Sequence, residues 1–109
     1  MIFKFLKGIF GQQNDDALKL ALQRNPILVD VRSRAEFAAG SVAGAVNFPL
    51  TELSKGAILW SKNQPLVLFC RSGSRSAQGV AILEQLNFKE IINAGPIQNV
   101  QRVKHKLKS

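Results

Sequence analysis

Short runs of mostly apolar, branched residues recur along the chain, at Ile27-Leu28-Val29-Asp30-Val31, at Leu66-Val67-Leu68-Phe69 and at Ile91-Ile92, and stretches with apolar residues at helical spacing separate them. A run that is apolar at successive positions suits a strand buried on both faces, which requires a sheet covered by helices on each side. Strands alternating with helices over short connections imply an α/β domain of three layers, with a mainly parallel sheet flanked by helices. In such sheets ligands bind beyond the carboxyl ends of the strands, and the second run delivers Cys70 to that edge.

Boundary signals divide the chain further. Asn14 before Asp15 and Asp16 reads as a helix start that runs to Leu22 and frays before Pro26. Ser33-Arg34-Ala35-Glu36 has capping-box spacing and opens a short helix that Gly40 ends. Ala45-Val46-Asn47-Phe48 is a short strand stopped by Pro49, and Thr51 with Glu52 starts a helix toward Trp60 that Asn63-Gln64-Pro65 breaks. Ala77, Val80, Ala81, Leu83 and Leu86 mark one helix face, and Ile97, Val100, Val103 and Leu107 mark that of a terminal helix.

With 109 residues, 46% hydrophobic and 20% charged, the chain suits one soluble globular domain, read here as residues 14–109 after an amphipathic segment at 1–13. The single Cys excludes an intramolecular disulfide, and one Cys with one His, His105, does not supply a zinc site, so neither metal nor cofactor is expected. The formal charge is +8, but Lys4 and Lys7 at one end and Arg102, Lys104, Lys106 and Lys108 at the other account for six of the excess charges. That distribution argues against a nucleic-acid surface built into the fold. The first residues lack a cleavage site and fall short of the roughly 20 apolar residues that span a bilayer, so a cytoplasmic protein is expected. In the same segment Ile2, Phe5, Leu6 and Ile9 fall on one helical face. That face suits cover for the domain's own core; the alternative is weak contact with a membrane surface through residues 1–10.

Cys70-Arg71-Ser72-Gly73-Ser74-Arg75-Ser76 joins the buried strand to the next helix. Small residues in its middle let successive backbone amides turn inward as an anion nest, the helix start adds a positive dipole, and Arg71 and Arg75 add full charges. All of these favour a thiolate over a thiol, so Cys70 is the candidate nucleophile. Arg71, Ser72, Gly73, Ser74 and Arg75 are the candidate binding groups. The hydroxyls of Ser72, Ser74 and Ser76 rank second, because hydroxyls in tight turns more often bond the backbone. Asp30 and Arg32, at the end of a core strand, are read as a supporting ion pair.

With that loop the chain resembles the rhodanese family. Ile27 to Arg32 followed by Glu36-Phe37 is similar to that family's first signature, Gly40-Ser41-Val42-Ala43-Gly44-Ala45-Val46-Asn47-Phe48-Pro49 to its second, Cys70 to Ser76 to its active-site loop, and Asn93-Ala94-Gly95 to its last motif. Ser41 stands where the family usually has His, and Pro96 where it has a second Gly. The resemblance implies a sulfurtransferase in which Cys70 takes sulfane sulfur from a small anionic donor such as thiosulfate and passes it, as a persulfide, to cyanide, a thiol or a protein acceptor. It implies Arg71 and Arg75 as donor-holding residues, and a monomer is the expected form. Two rivals differ from this reading. A phosphatase or arsenate reductase would need a longer loop than the four residues between Cys70 and Arg75, and an Asp acid nearby. A non-catalytic binding module would have no use for the intact Cys70.

Overall fold

The computed structural model describes residues 15–55 and 58–108. The amphipathic segment at 1–13 and the cap expected at Asn14 lie outside them. Helix α1 (Asp15–Leu22) begins with two acids at its positive end and buries Leu18. Strand β1 (Ile27–Asp30) leads into α2 (Arg34–Ala39), whose capping box is closed on both sides: the Ser33 hydroxyl accepts the Glu36 amide at 3.2 Å and the Glu36 carboxylate accepts the Ser33 amide at 3.0 Å. Gly40 ends that helix with its N–H on the carbonyl of Phe37. Strand β2 is reduced to Val46–Asn47.

The helix expected from Thr51 toward Trp60 is one turn only, α3 (Leu50–Leu53). The Ser54 hydroxyl bonds back to the carbonyl of Thr51, and Ile58 and Trp60 pack on the core from non-helical backbone, Trp60 with its edge against the ring of Phe48. Strand β3 (Leu66–Cys70) is buried at all five positions, and α4 (Ser74–Gln85) follows it. Strand β4 (Ile91–Pro96) is longer than Ile91-Ile92, running through residues that read as a turn, and α5 (Ile97–Lys108) ends the described chain. Among the described residues no helix is long and apolar enough to cross a membrane.

The four strands lie in the order β2-β1-β3-β4, and every neighbouring pair is parallel. Because strand side chains alternate, β3 divides its residues between two cores. Leu66, Leu68 and Cys70 join Val29, Leu53, Val80 and Leu83 beneath α3 and α4, while Val67 and Phe69 join Leu28, Leu18, Val100 and Val103 beneath α1 and α5. This is the three-layer α/β architecture expected. Gly79 lets α4 approach the sheet closely, since a Cβ there would stand 2.7 Å from Leu68 Cδ2. One irregularity bears on the site: Leu68 pairs with Asn93 but Phe69 pairs with Gly95, so Ala94 is an extra residue in β4 and Gly95 takes the left-handed φ of +78° that closes the bulge.

Candidate active site

Cys70 is the last residue of β3, its side chain on the face that α4 covers, with no exposed surface. The chain turns at Gly73, whose φ of +100° is open to glycine at low cost. That turn points the Gly73 amide at Cys70 Sγ, at 2.9 Å, and brings the Ser76 amide and the Ser76 hydroxyl each to 3.4 Å. Helix α4 has no side-chain cap. The sulfur stands in its place, taking up free amides at the positive end of a 12-residue helix. Burial pushes the Cys70 thiol up, but the Ser76 hydroxyl and the amides of Ser76, Gly73 and Ser72 outweigh it, and the thiol is held below its ordinary value.

Ser76 is fully buried and carries one proton for three acceptors: Asn93 Oδ1 at 2.7 Å, the Gly73 carbonyl at 3.1 Å and Cys70 Sγ. Asn93 Oδ1 also takes the Gly95 amide at 2.8 Å, which fixes the orientation of the side-chain amide, since a flipped one would set donor against donor. The bulge in β4 thus brings Asn93 under the loop. Ser76, ranked second on sequence, is the side chain nearest the sulfur among these contacts.

The arginines are distributed unequally. Arg71 is exposed and has no ion pair with any described residue. Arg75 lies in the first turn of α4, and its two terminal nitrogens bind the two carboxylate oxygens of Glu36 at 2.7 and 3.0 Å. Glu36, hydrogen-bonded first by Arg75 and then by the Ser33 amide, is lowered to a pKa of about 2. Arg32 grips the buried Asp30 in a fork, at 2.9 and 2.8 Å, and also donates to the Gly40 carbonyl. The Ser41 hydroxyl completes that carboxylate at 2.7 Å, and Asn47 ties the carbonyls of Asp30 and Arg32. Asp30 and Arg32 therefore tie the end of β1 to Gly40 and Ser41, and the Cys70 sulfur is not among their hydrogen-bond partners in the described residues. Ser72 and Ser74 are exposed at the rim. Glu36, read as a capping residue and as part of the first signature, and Asn93, read as part of the last motif, are residues whose contacts with Arg75 and Ser76 had no local signal.

Among the described residues no three His, Cys, Asp or Glu side chains gather where they could hold a metal ion. A separate open groove, lined by Leu22, Pro26, Leu28 and Leu107, lies where β1 begins, at the other end of the strands from Cys70. The site is thus one buried, amide-held sulfur followed by an exposed guanidinium, that of Arg71, with no ion pair among the described residues. Such a sulfur can attack an electrophile without a base and can leave again as a stabilised anion.

Comparison with known proteins identifies the family. The rhodanese-like domain pattern matches residues 14–95. A sulfurtransferase of Allochromatium vinosum is 33% identical over 75 residues, covering 69% of this chain and 70% of that protein. Thiosulfate sulfurtransferase PspE of Escherichia coli is 29% identical over 80 residues, covering 72% and 77%. Among solved structures, the human single-domain sulfurtransferase TSTD1 superposes with a TM-score of 0.66 at 28% identity, covering 86% of this chain and 94% of that one. A pattern that spans most of the chain, a fold that superposes and relatives named for sulfur transfer place this chain in the rhodanese-like domain family.

Proposed function

We propose that the protein is a sulfurtransferase that carries sulfane sulfur on Cys70 as a persulfide. The observation that supports this most is the Gly73 amide at 2.9 Å from Sγ, backed by the amide and hydroxyl of Ser76. The Cys70 thiolate attacks the outer sulfur of thiosulfate, the S–S bond breaks, and sulfite leaves with the electron pair. A thiolate or cyanide acceptor then attacks the outer sulfur of the persulfide, and Cys70 departs as the thiolate that the loop amides stabilise. Atoms and charge balance in both steps, and neither needs a proton transfer. Arg71 steers the donor anion, the chain acts as a monomer, and a free thiolate of this kind suits the cytoplasm. With no second Cys in the chain, an external thiol, cyanide or protein takes the sulfur away.

One observation favours the rival of a non-catalytic binding module: Cys70 has no exposed surface, so a donor reaches the sulfur only after the residues over it shift. Mass analysis separates the two. Thiosulfate should add one sulfur atom to the wild type, cyanide should remove it as thiocyanate, and Cys70→Ser should do neither while keeping its melting temperature. No adduct from thiosulfate or from a persulfide donor would leave the binding module as the reading to keep.

A further inference from the structure

Of the three arginines around the loop, two are already engaged. Arg32 saturates Asp30, and Arg75 places both terminal nitrogens on Glu36 at 2.7 and 3.0 Å. An incoming anion meets Arg75 as half of a neutral pair: Glu36 takes one N–H from each terminal nitrogen and stays ionised at any ordinary pH, so the guanidinium offers its remaining N–H groups but no net charge unless the pair opens. Arg75 is nevertheless beside the reaction: the next residue, Ser76, touches Sγ, and charge on Cys70 acts on the Arg75 guanidinium. We infer that Glu36 is a specificity-determining residue: by holding and neutralising Arg75 it leaves the exposed Arg71 as the loop arginine with no ion pair among the described residues, and so weakens the preference for a doubly charged over a singly charged sulfane donor. Glu36 acts through Arg75 and need not touch the donor. The consequence for substrate class is a site open to singly charged donors, such as thiosulfonates or small persulfides, as well as to thiosulfate. The inference rests on the sulfurtransferase reading above.

Two donors that differ by one charge test it. Thiosulfate carries two negative charges and releases sulfite; methanethiosulfonate carries one and releases methanesulfinate, and each leaves the same persulfide on Cys70. Glu36→Gln removes the charge but keeps a carbonyl oxygen for the Ser33 amide, so the cap of α2 survives. The ratio of kcat/KM for thiosulfate to that for methanethiosulfonate should rise roughly three- to fivefold in the variant, through KM, as one freed charge at several ångströms predicts. In an Arg75→Ala background the same Glu36→Gln change should raise the ratio less, because only the carboxylate's own field on the donor is then removed and no guanidinium is freed. Glu36→Ala, which also loses the cap, should shift the ratio in the same direction, so a poorly folding glutamine variant does not shelter the idea. An unchanged ratio in a wild type and variant that use both donors, an equal loss for both donors, or the same rise without Arg75 would each overturn the inference. Failure of the wild type with both donors would instead overturn the sulfurtransferase reading itself.

Discussion

Ser76→Ala removes the side-chain hydroxyl that, among the described residues, touches the sulfur, and leaves the Gly73 amide at 2.9 Å and the residue's own amide at 3.4 Å. A hydrogen bond to a charged group contributes about 1.5–3 kcal/mol, and a 3.4 Å contact whose proton is also wanted by Asn93 and the Gly73 carbonyl belongs at the low end. About 1.4 kcal/mol corresponds to a factor of roughly ten in the ratio of thiolate to thiol. The loss moves the Cys70 midpoint upward, so below it the variant should be alkylated by iodoacetamide about tenfold more slowly than wild type. At high pH, where both thiols are ionised, the two rates should converge. A midpoint that stays put, or a variant that remains slow at high pH, would refute the reasoning, the second because access rather than ionisation would then be at fault. The same linkage has a sign in stability. A folded-state thiol held below its ordinary value stabilises the fold above the unfolded thiol's pKa of about 8.5, and this stabilisation is lost as pH falls through the folded midpoint. The stability gap between wild type and Ser76→Ala should therefore be wider in mildly alkaline than in mildly acidic buffer.

Other perturbations test the surrounding scaffold. Asp30→Asn removes the charge from a fully buried carboxylate and leaves Arg32 without its partner, so urea denaturation should show a loss of about 3–5 kcal/mol; a loss under 1 kcal/mol would mean that the pair does not brace the site. Gly79→Ala sets a Cβ 2.7 Å from Leu68 and 3.2 Å from Leu53, and overpacking of about 1–3 kcal/mol should exceed the helix-propensity gain of about 1 kcal/mol, giving a net loss in the same assay. The Glu36 carboxyl carbon, followed by NMR, should titrate at about 2 rather than near 4.5, and Arg75→Ala should move it upward. Since a depressed carboxylate stabilises the fold above its unfolded pKa, this contribution should persist through neutral pH and fade only as the pH falls toward 2.

What sequence alone could reveal divides along the line between local and long-range causes. Strand β3 was plain because every residue in it is apolar, and the start of α2 was plain because Ser33 and Glu36 satisfy each other within one turn. The second half of β4 was hidden, since Asn93, Ala94, Gly95 and Pro96 carry turn chemistry, and only the distant Ser76 and the pairing with Phe69 and Cys70 give those residues a place in a sheet. The helix past Thr51 was overextended because the fold-back of Ser54 and the packing of Trp60 on Phe48 are tertiary facts. At the site, Cys70 and its loop follow from residue types in one short stretch. That Arg75 turns to Glu36, in another helix, while Arg71 stays without a described partner is a matter of side-chain reach that spacing does not encode.

The all-parallel order of the sheet has a consequence for how the chain reaches its folded state. No strand pairs with another through a tight hairpin: Ile27 of β1 must find Leu66 of β3, and Leu66 must find Ile91 of β4 across an intervening helix. Loop closure therefore precedes any reward from strand pairing, which slows folding relative to a helical bundle of the same length. During synthesis the central strand β3 has one edge open until the whole of α4 has been made and β4 emerges. Throughout that interval the amides that cradle Cys70 are not yet assembled, and the thiol is an ordinary exposed one. The activated thiolate should thus form only after β4 has paired, and a ribosome-stalled chain that ends before Ile91 should react with iodoacetamide at the rate and with the pH midpoint of an ordinary thiol.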